Sequence, residues 1–211
     1  VTIELNLTGS GTGIQEAMEG KIDIGNSSRK LKDDETGLVA TQICTDGIAI
    51  IVNNSNSVDD ISIEQLEKIY SREITNWSDV GGPDKSIVVI GREDGSGTRD
   101  GFESIIMKNS EADYAQELES TGSVISTVGT TDGAIGYVSL ANVDDTVKAV
   151  KIDGVTPNEE TVKDGSFPIQ RPFLCVVKEG NDSELIKAYL EFALSEEGQT
   201  QAENAGAVPV K

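Results

Sequence analysis

The residues of this chain best suited to chemistry are Arg92-Glu93-Asp94-Gly95-Ser96-Gly97-Thr98-Arg99, set between an apolar run, Ser86 to Ile90, and an amphipathic segment, Phe102 to Met107. A strand, a glycine loop carrying hydroxyls and a helix together make an anion socket. The first backbone N–H groups of a helix have no intrahelical acceptor and carry the positive end of its dipole. Glycine lets the backbone approach an oxyanion closely, and Ser96 and Thr98 add hydroxyl donors. Arg92 and Arg99 flank the loop, and a guanidinium can grip two oxygens of a tetrahedral anion at once. The same four residues, Gly-Ser-Gly-Thr, recur at Gly9 to Thr12, which predicts two half-sites facing each other. Asn26-Ser27-Ser28-Arg29 is a third hydroxyl-rich loop with a cation attached.

These loops need elements to hold them. Thr2 to Leu7 alternates Ile3, Leu5 and Leu7 with polar residues and predicts a strand running into Gly9-Ser10-Gly11-Thr12-Gly13. A helix is expected next, with Ile14, Ala17 and Met18 at helical spacing and Gly20 as its stop. Ile22 to Gly25 predicts a short strand before the Ser28 loop, and Leu38 to Val52 a long one broken at Asp46-Gly47. Ser62-Ile63-Glu64-Gln65 opens a helix with a capping-box pattern. Ser86 to Ile90 and Ala134 to Val138 are continuous apolar runs of the buried-strand type. Ala112 to Leu118 is expected to be helical, Ser123 to Val128 is either helix end or strand, and Asp153 to Ser166 is expected to be a polar loop. Val147 to Ile152 and Pro172 to Lys178 predict strands, Ser183 to Leu194 an amphipathic helix, and Gln199 to Ala205 a further helical turn. Alternating strands and helices make the class α/β with a mostly parallel sheet. In such sheets ligands sit beyond the carboxyl ends of strands, where all three hydroxyl loops fall.

Bulk composition restricts the partners. At 211 residues the chain can bury one large core or two of roughly 100 residues each. A net charge of −20 argues against nucleic acid and anionic membrane surfaces, so an anion site here must be built locally. The sequence has no histidine, which removes the commonest general base and metal ligand and leaves no metal or cofactor site to assign. The longest apolar run, Gly47 to Val52, is strand length, far short of a membrane span. Val1 follows neither an initiator methionine nor a signal-peptide pattern, so a processed or trimmed chain is expected. Cys44 and Cys175 lie in apolar strand-like contexts and are read as buried thiols, with a disulfide open to them if their strands are neighbours.

Two nucleotide motifs are set aside. A dinucleotide fingerprint at Gly9 to Gly13 needs an acid at the end of the next strand, where Ile24 instead runs into Gly25-Asn26-Ser27. A P-loop needs Gly-Lys-Ser/Thr, which neither glycine loop has. One such loop alone reads equally well as a capped turn; two copies, Arg92 and a third hydroxyl loop favour an anion site. Asp94, two residues beyond Arg92, is close enough to fix that guanidinium. Arg29 and Arg99 fit either ligand contact or surface ion pairing, and Trp77 reads as packing.

With these residues in view, the chain resembles the phosphate-binding receptors of bacterial phosphate ABC transporters. Arg92 to Thr98 is the most specific stretch, supported by Gly9 to Gly13, Asp23 to Arg29, Asp46 to Ala49, Ile74 to Asp79, Gly133 to Tyr137 and Phe192 to Pro209. The resemblance implies a two-lobed type II periplasmic-binding-protein fold, with lobe 1 made of residues 1–46 and 172–211 and lobe 2 of residues 47–171. It implies phosphate contacts from Ser10, Ser28, Arg92, Ser96, Gly97 and Thr98, with Gly11, Thr12, Ser27, Asp46 and Asp94 in support and Asp94 paired with Arg92. Where this chain has Ser28, a family member carries an aspartate that accepts the phosphate proton, and Asp46 is a weak substitute candidate. The family also begins with a strand, a loop and a helix ahead of Thr2, which here are trimmed or supplied by another chain. The implied function is a non-enzymatic receptor that delivers inorganic phosphate to ABC transporter permease subunits. Its implied place is outside the cytoplasm, tethered to a Gram-positive cell membrane by a lipid on a cysteine upstream of Val1. The rival readings are a phosphatase-like enzyme and a non-transport sensor or interaction protein using the same anion site.

Overall fold

The computed structural model describes residues 2–210; Val1 and Lys211, the ends of the expected lobe 1 ranges, lie outside the described residues. The elements are α1 (Ser10–Glu19), β1 (Gly25–Ser27), β2 (Leu38–Asn53), β3 (Asp60–Ile61), α2 (Ile63–Tyr70), β4 (Val88–Arg92), α3 (Gly97–Ile106), β5 (Gln116–Leu118), α4 (Thr121–Thr130), β6 (Ala134–Ser139), β7 (Val147–Ala149), β8 (Lys151–Ile152), α5 (Glu159–Lys163), β9 (Gln170–Lys178), α6 (Glu184–Ala193), α7 (Glu196–Asn204) and β10 (Val208–Pro209).

The class is α/β, and the sheet is mixed where a mostly parallel one is expected. Its order is β1-β9-β2-β6-β4-β5, with β7 and β10 also pairing β2. Only β4 runs parallel to its neighbours β6 and β5 in this sheet, and a separate β3-β8 pair is parallel. The antiparallel pairs centre on β2 and β9, because the chain leaves along one and returns along the other. The Leu38 to Gly47 part of β2 pairs with β9, and Ile48 to Asn53 pairs with β6 and β7. The expected break at Asp46-Gly47 is absent: Asp46 pairs with Arg171 and Gly47 with Gln170, and the irregularity falls between Gln42 and Cys44.

The largest core cluster gathers Ile48, Ile50, Val89, Phe102, Tyr70, Trp77 and Tyr137 beneath α2 and α3. Val208, near the C-terminus, belongs to it as well. A second cluster holds α4 against Ile51, Ile90 and Val138. The third, Ile14, Leu174 and Val176, is small. Trp77 is packing, fully buried with its Nε1–H donated to Gly133 O at 2.8 Å.

Several local expectations change. Residues 2–9 form no strand, and Ile3, Leu5 and Leu7 are 74%, 70% and 89% exposed. Among the described residues no strand lies beside them, and a strand without a ladder partner gains no hydrogen bonds for the order it imposes. The first short strand shifts to Gly25–Ser27, where it finds β9. Ala112 to Leu118 is not helical: Ala115 N–H donates to Val89 O at 2.8 Å, drawing the chain along β4 so that β5 extends the sheet. Ser123 to Val128 resolves as part of α4, capped by Ser120. The polar stretch after Asp153 contains α5, closed by an Asn158–Thr161 capping box, and the Ser62–Gln65 box is present on α2. Cys44 and Cys175 lie on neighbouring strands, yet both are free, buried thiols. Burial pushes each up to about 11.

Candidate anion-binding site

The two Gly-Ser-Gly-Thr copies meet. Both are helix N-termini: α1 starts at Ser10 after an extended Gly9, and α3 starts at Gly97 after Ser96. Gly11 N–H donates to Gly95 O at 3.4 Å, joining the first turn of α1 to the turn before α3. Gly97 lies so close to the Ser10 and Ser28 hydroxyls that a Cβ on it would overlap both. Ser28 N–H donates to Ser10 Oγ at 3.0 Å, and the two hydroxyls are 3.2 Å apart. Ser10, Ser27, Ser96 and Thr98 are all buried. Ser96 Oγ caps α3 by accepting from Arg99 N–H at 3.4 Å, whereas Ser27 Oγ donates to Arg29 O and stays within its own loop. By helix geometry the Gly97 and Thr98 N–H groups have no intrahelical acceptor, and they open α3 at the point where Gly97 lies against Ser10 and Ser28.

Arg92 is placed differently from expectation. Its guanidinium takes both oxygens of Glu93, at 2.8 and 2.9 Å, and also reaches Leu118 O and Thr121 Oγ1. Asp94 instead closes the turn, accepting from Gly95 N–H at 3.0 Å. The strand end explains the exchange: Glu93 N–H is held by Leu118 O, which keeps its carboxylate beside Arg92 while Asp94 turns into the loop. Arg99 is committed to Glu103 and Glu117. Arg29 pairs with both oxygens of Glu35, and its Nε lies 2.5 Å from Asp100 Oδ2 on α3. Both therefore sit in ion pairs.

The cation beside the paired serines is Arg171, which sequence reasoning missed. It is 4% exposed, donates from Nη1 to Ser28 Oγ at 3.2 Å, and places Nε and Nη2 at 2.9 and 2.8 Å from Asp46 Oδ2. Asp46 is fully buried and also accepts from Ser139 Oγ at 2.7 Å. Burial pushes the Asp46 carboxyl above its usual range, while Arg171, the Ser139 hydroxyl and the Leu140 backbone N–H oppose the rise. Burial draws the Arg171 guanidinium down, Asp46 raises it, and the Arg92 charge lowers it further. The signal in the sequence was an arginine at an inward position of an otherwise apolar strand, opposite an aspartate. Asp46 thus reaches the serine cluster through Arg171. Arg171 also lines an open cleft of ≈ 590 Å³ with Arg29, Lys32, Asp100 and Lys108.

Helix N-termini, hydroxyls and a buried guanidinium are the chemistry of a small oxyanion site, and the comparisons with known proteins agree. A family model described as a PBP superfamily domain matches residues 1–197. The chain is 35% identical to the phosphate-binding protein PstS of Bacillus subtilis, over 99% of this chain and 71% of that protein. The chain belongs to the PBP superfamily, among PstS-type phosphate-binding proteins. PstS of Staphylococcus aureus is 31% identical over 98% of this chain and 69% of its own length. Solved structures superpose along nearly the whole chain. One, from Clostridium perfringens with bound phosphate and assigned to phosphate ABC transporter substrate binding, has TM-score 0.91 and 45% identity, covering 96% of this chain and 85% of that one. An ABC-type phosphate transport receptor from Vibrio cholerae has TM-score 0.83 and 33% identity, covering 95% and 85%.

Proposed function

We propose that this chain captures inorganic phosphate and delivers it to the permease subunits of an ABC transporter. The observation that carries the reading is the meeting of two helix N-termini over paired hydroxyls, the buried Ser10 and the half-buried Ser28 against Gly97, in a PstS-type chain. Phosphate would take the bonds these groups now make to one another, held by Ser10, Ser28, Ser96, Gly97 and Thr98 with Arg92 alongside. Gly11, Thr12, Ser27, Asp46 and Asp94 shape the loops and charges around it. Residues 1–46 with 172–211 form one lobe and 47–171 the other, hinged where β2 changes partner from β9 to β6; this division is supported by the pairing switch at Gly47/Ile48.

Hydrogen bonds to a charged group contribute about 1.5–3 kcal/mol each, and micromolar affinity requires about 8 kcal/mol net. Five or six such donors meet that scale after the cost of closure. The receptor works outside the cytoplasm, on the outer face of a Gram-positive membrane, tethered by a lipid on a cysteine upstream of Val1. No helix among the described residues is long and apolar enough to cross a membrane itself. Binding and release need no bond cleavage, so the chain acts as a receptor and not an enzyme. Calorimetric titration of the purified chain with phosphate and with sulfate tests this. Saturable phosphate binding is expected; binding of neither anion overturns it, and phosphate release from an ester would replace it with an enzyme.

A further inference from the structure

We propose that Arg171 grips the bound anion directly, and that Asp46 holds it in place to do so. The inference rests on the receptor reading above and adds to it a contact and a source of charge.

A guanidinium carries five N–H donors in a fixed plane. In Arg171, Nε and one Nη2 hydrogen face Asp46, and one Nη1 hydrogen faces Ser28 Oγ, so one N–H on each terminal nitrogen has no partner among the described residues. A buried cation seldom leaves donors idle, because desolvated N–H groups cost free energy when unpaired. One of them is on Nη1, the nitrogen that reaches Ser28, the hydroxyl lying against Gly97 at the start of α3. Two N–H groups on neighbouring nitrogens match two oxygens of a tetrahedral anion.

The surroundings fix that geometry. Asp46 and Arg171 stand directly opposite each other on β2 and β9, so the pair is built into the sheet register. Ser139 holds the other oxygen of Asp46. The aliphatic stem of Arg171 lies against Gly101, where a Cβ would come within 3.3 Å of its Cδ, while the guanidinium stands over the Phe173 ring at 5.3 Å. Gly97 and Gly101 are one turn apart on the same face of α3: one admits the serine hydroxyls and the other the arginine. Arg92 has most of its donors on Glu93, Leu118, Glu119 and Thr121. Its charge still draws the Arg171 guanidinium down, an effect that an anion held by Arg171 would offset.

The experiment is calorimetric titration with inorganic phosphate of the unaltered chain, the double variant Arg171→Met/Asp46→Leu, and Arg171→Lys. The double variant replaces the buried pair with apolar groups of similar volume, a change that folds generally tolerate, and a thermal melt checks folding. A loss of at least about 100-fold in the folded double variant is expected, with a loss of about 10-fold in Arg171→Lys, which keeps the charge but not the planar fork. Affinity within threefold of the unaltered chain in either folded variant overturns the inference while leaving the receptor reading intact. No binding by the unaltered chain fails the receptor reading and this inference with it. Should neither variant fold, 15N-arginine NMR of the unaltered chain decides: phosphate must shift the buried guanidinium resonance, and an unmoved one overturns the proposal.

Discussion

The two copies of Gly-Ser-Gly-Thr are folded one residue out of step, and the offset makes them complementary. In the first, Gly9 is the N-cap, with φ −71° and ψ 161° and no side-chain cap, so Ser10 opens the helix with its hydroxyl free to meet Ser28. In the second, Ser96 is the N-cap and spends its hydroxyl on Arg99 N–H, so the bare Gly97 opens the helix. What precedes each copy sets the offset. Glu93 and Asp94 close a turn before Gly95, with Ser96 N–H donated to Glu93 O and Gly95 at φ 83°. Residues 2–9 offer no such turn, and the chain enters α1 extended. Identical tetrapeptides thus give a hydroxyl on one side and a gap to receive it on the other.

The strongest way to break that complementarity is Gly97→Ala. Its Cβ would overlap both Ser10 and Ser28, forcing the loops apart. Phosphate affinity is expected to fall by about 100-fold or more, equivalent to about 2.7 kcal/mol, with the thermal midpoint nearly unchanged. Affinity within threefold, measured by calorimetry, would mean that the two helix ends do not close on the anion together. Gly9→Ala should come next. A Cβ there stands 2.7 Å from Gly95 O, a backbone atom that cannot swing aside. A loss of about 10-fold is expected, and an unaltered affinity would show that the first loop can retreat from the second at no cost to binding.

The glycine and hydroxyl loops that meet at this candidate site were legible in the sequence because they depend on local grammar. Glycine and hydroxyl residues at the start of a helix fix where its first N–H groups point, whatever the rest of the fold does. The partner of Arg92 and the role of Arg171 were not legible, since both depend on tertiary register. Glu93 and Asp94 are equally near Arg92 in sequence, and only the bond from Glu93 N–H to Leu118 O decides between them. Arg171 meets Asp46 across 125 positions, through a strand pairing that no local pattern specifies. The same limit applies to Thr2 to Leu7, whose alternation is a strand pattern with no neighbouring strand among the described residues. It applies again to Ala112 to Leu118, where a contact with β4 overrides helical spacing.

Ser10→Ala and Ser96→Ala separate the two hydroxyls by what each one does. Ser10 Oγ makes no cap bond but accepts from Ser28 N–H, so its removal should lower phosphate affinity by about 10-fold and cost about 1 kcal/mol of stability, in line with one hydrogen bond. Ser96 Oγ caps α3, so its removal should cost about 1 kcal/mol of stability in a denaturant titration and reduce affinity less than Ser10→Ala does. If Ser96→Ala proved the more damaging to affinity, the division of labour between the copies would be reversed.

The smallest effect is expected at Gly11, and it is the most exacting test because the sign is opposite. Gly11 lies inside the first turn of α1, and a Cβ on it would meet only Gly95 atoms at 3.6 and 3.7 Å, ordinary contact distances. Glycine within a helix costs about 1 kcal/mol relative to alanine. Gly11→Ala should therefore raise stability by about 0.5–1 kcal/mol while keeping phosphate affinity within twofold, even though the residue sits two places from Gly9. A large loss of affinity would mean that the Gly11 backbone approaches the anion itself. The first copy would then bind phosphate through its main chain, as proposed for the second, and the offset between them would not divide hydroxyl from backbone.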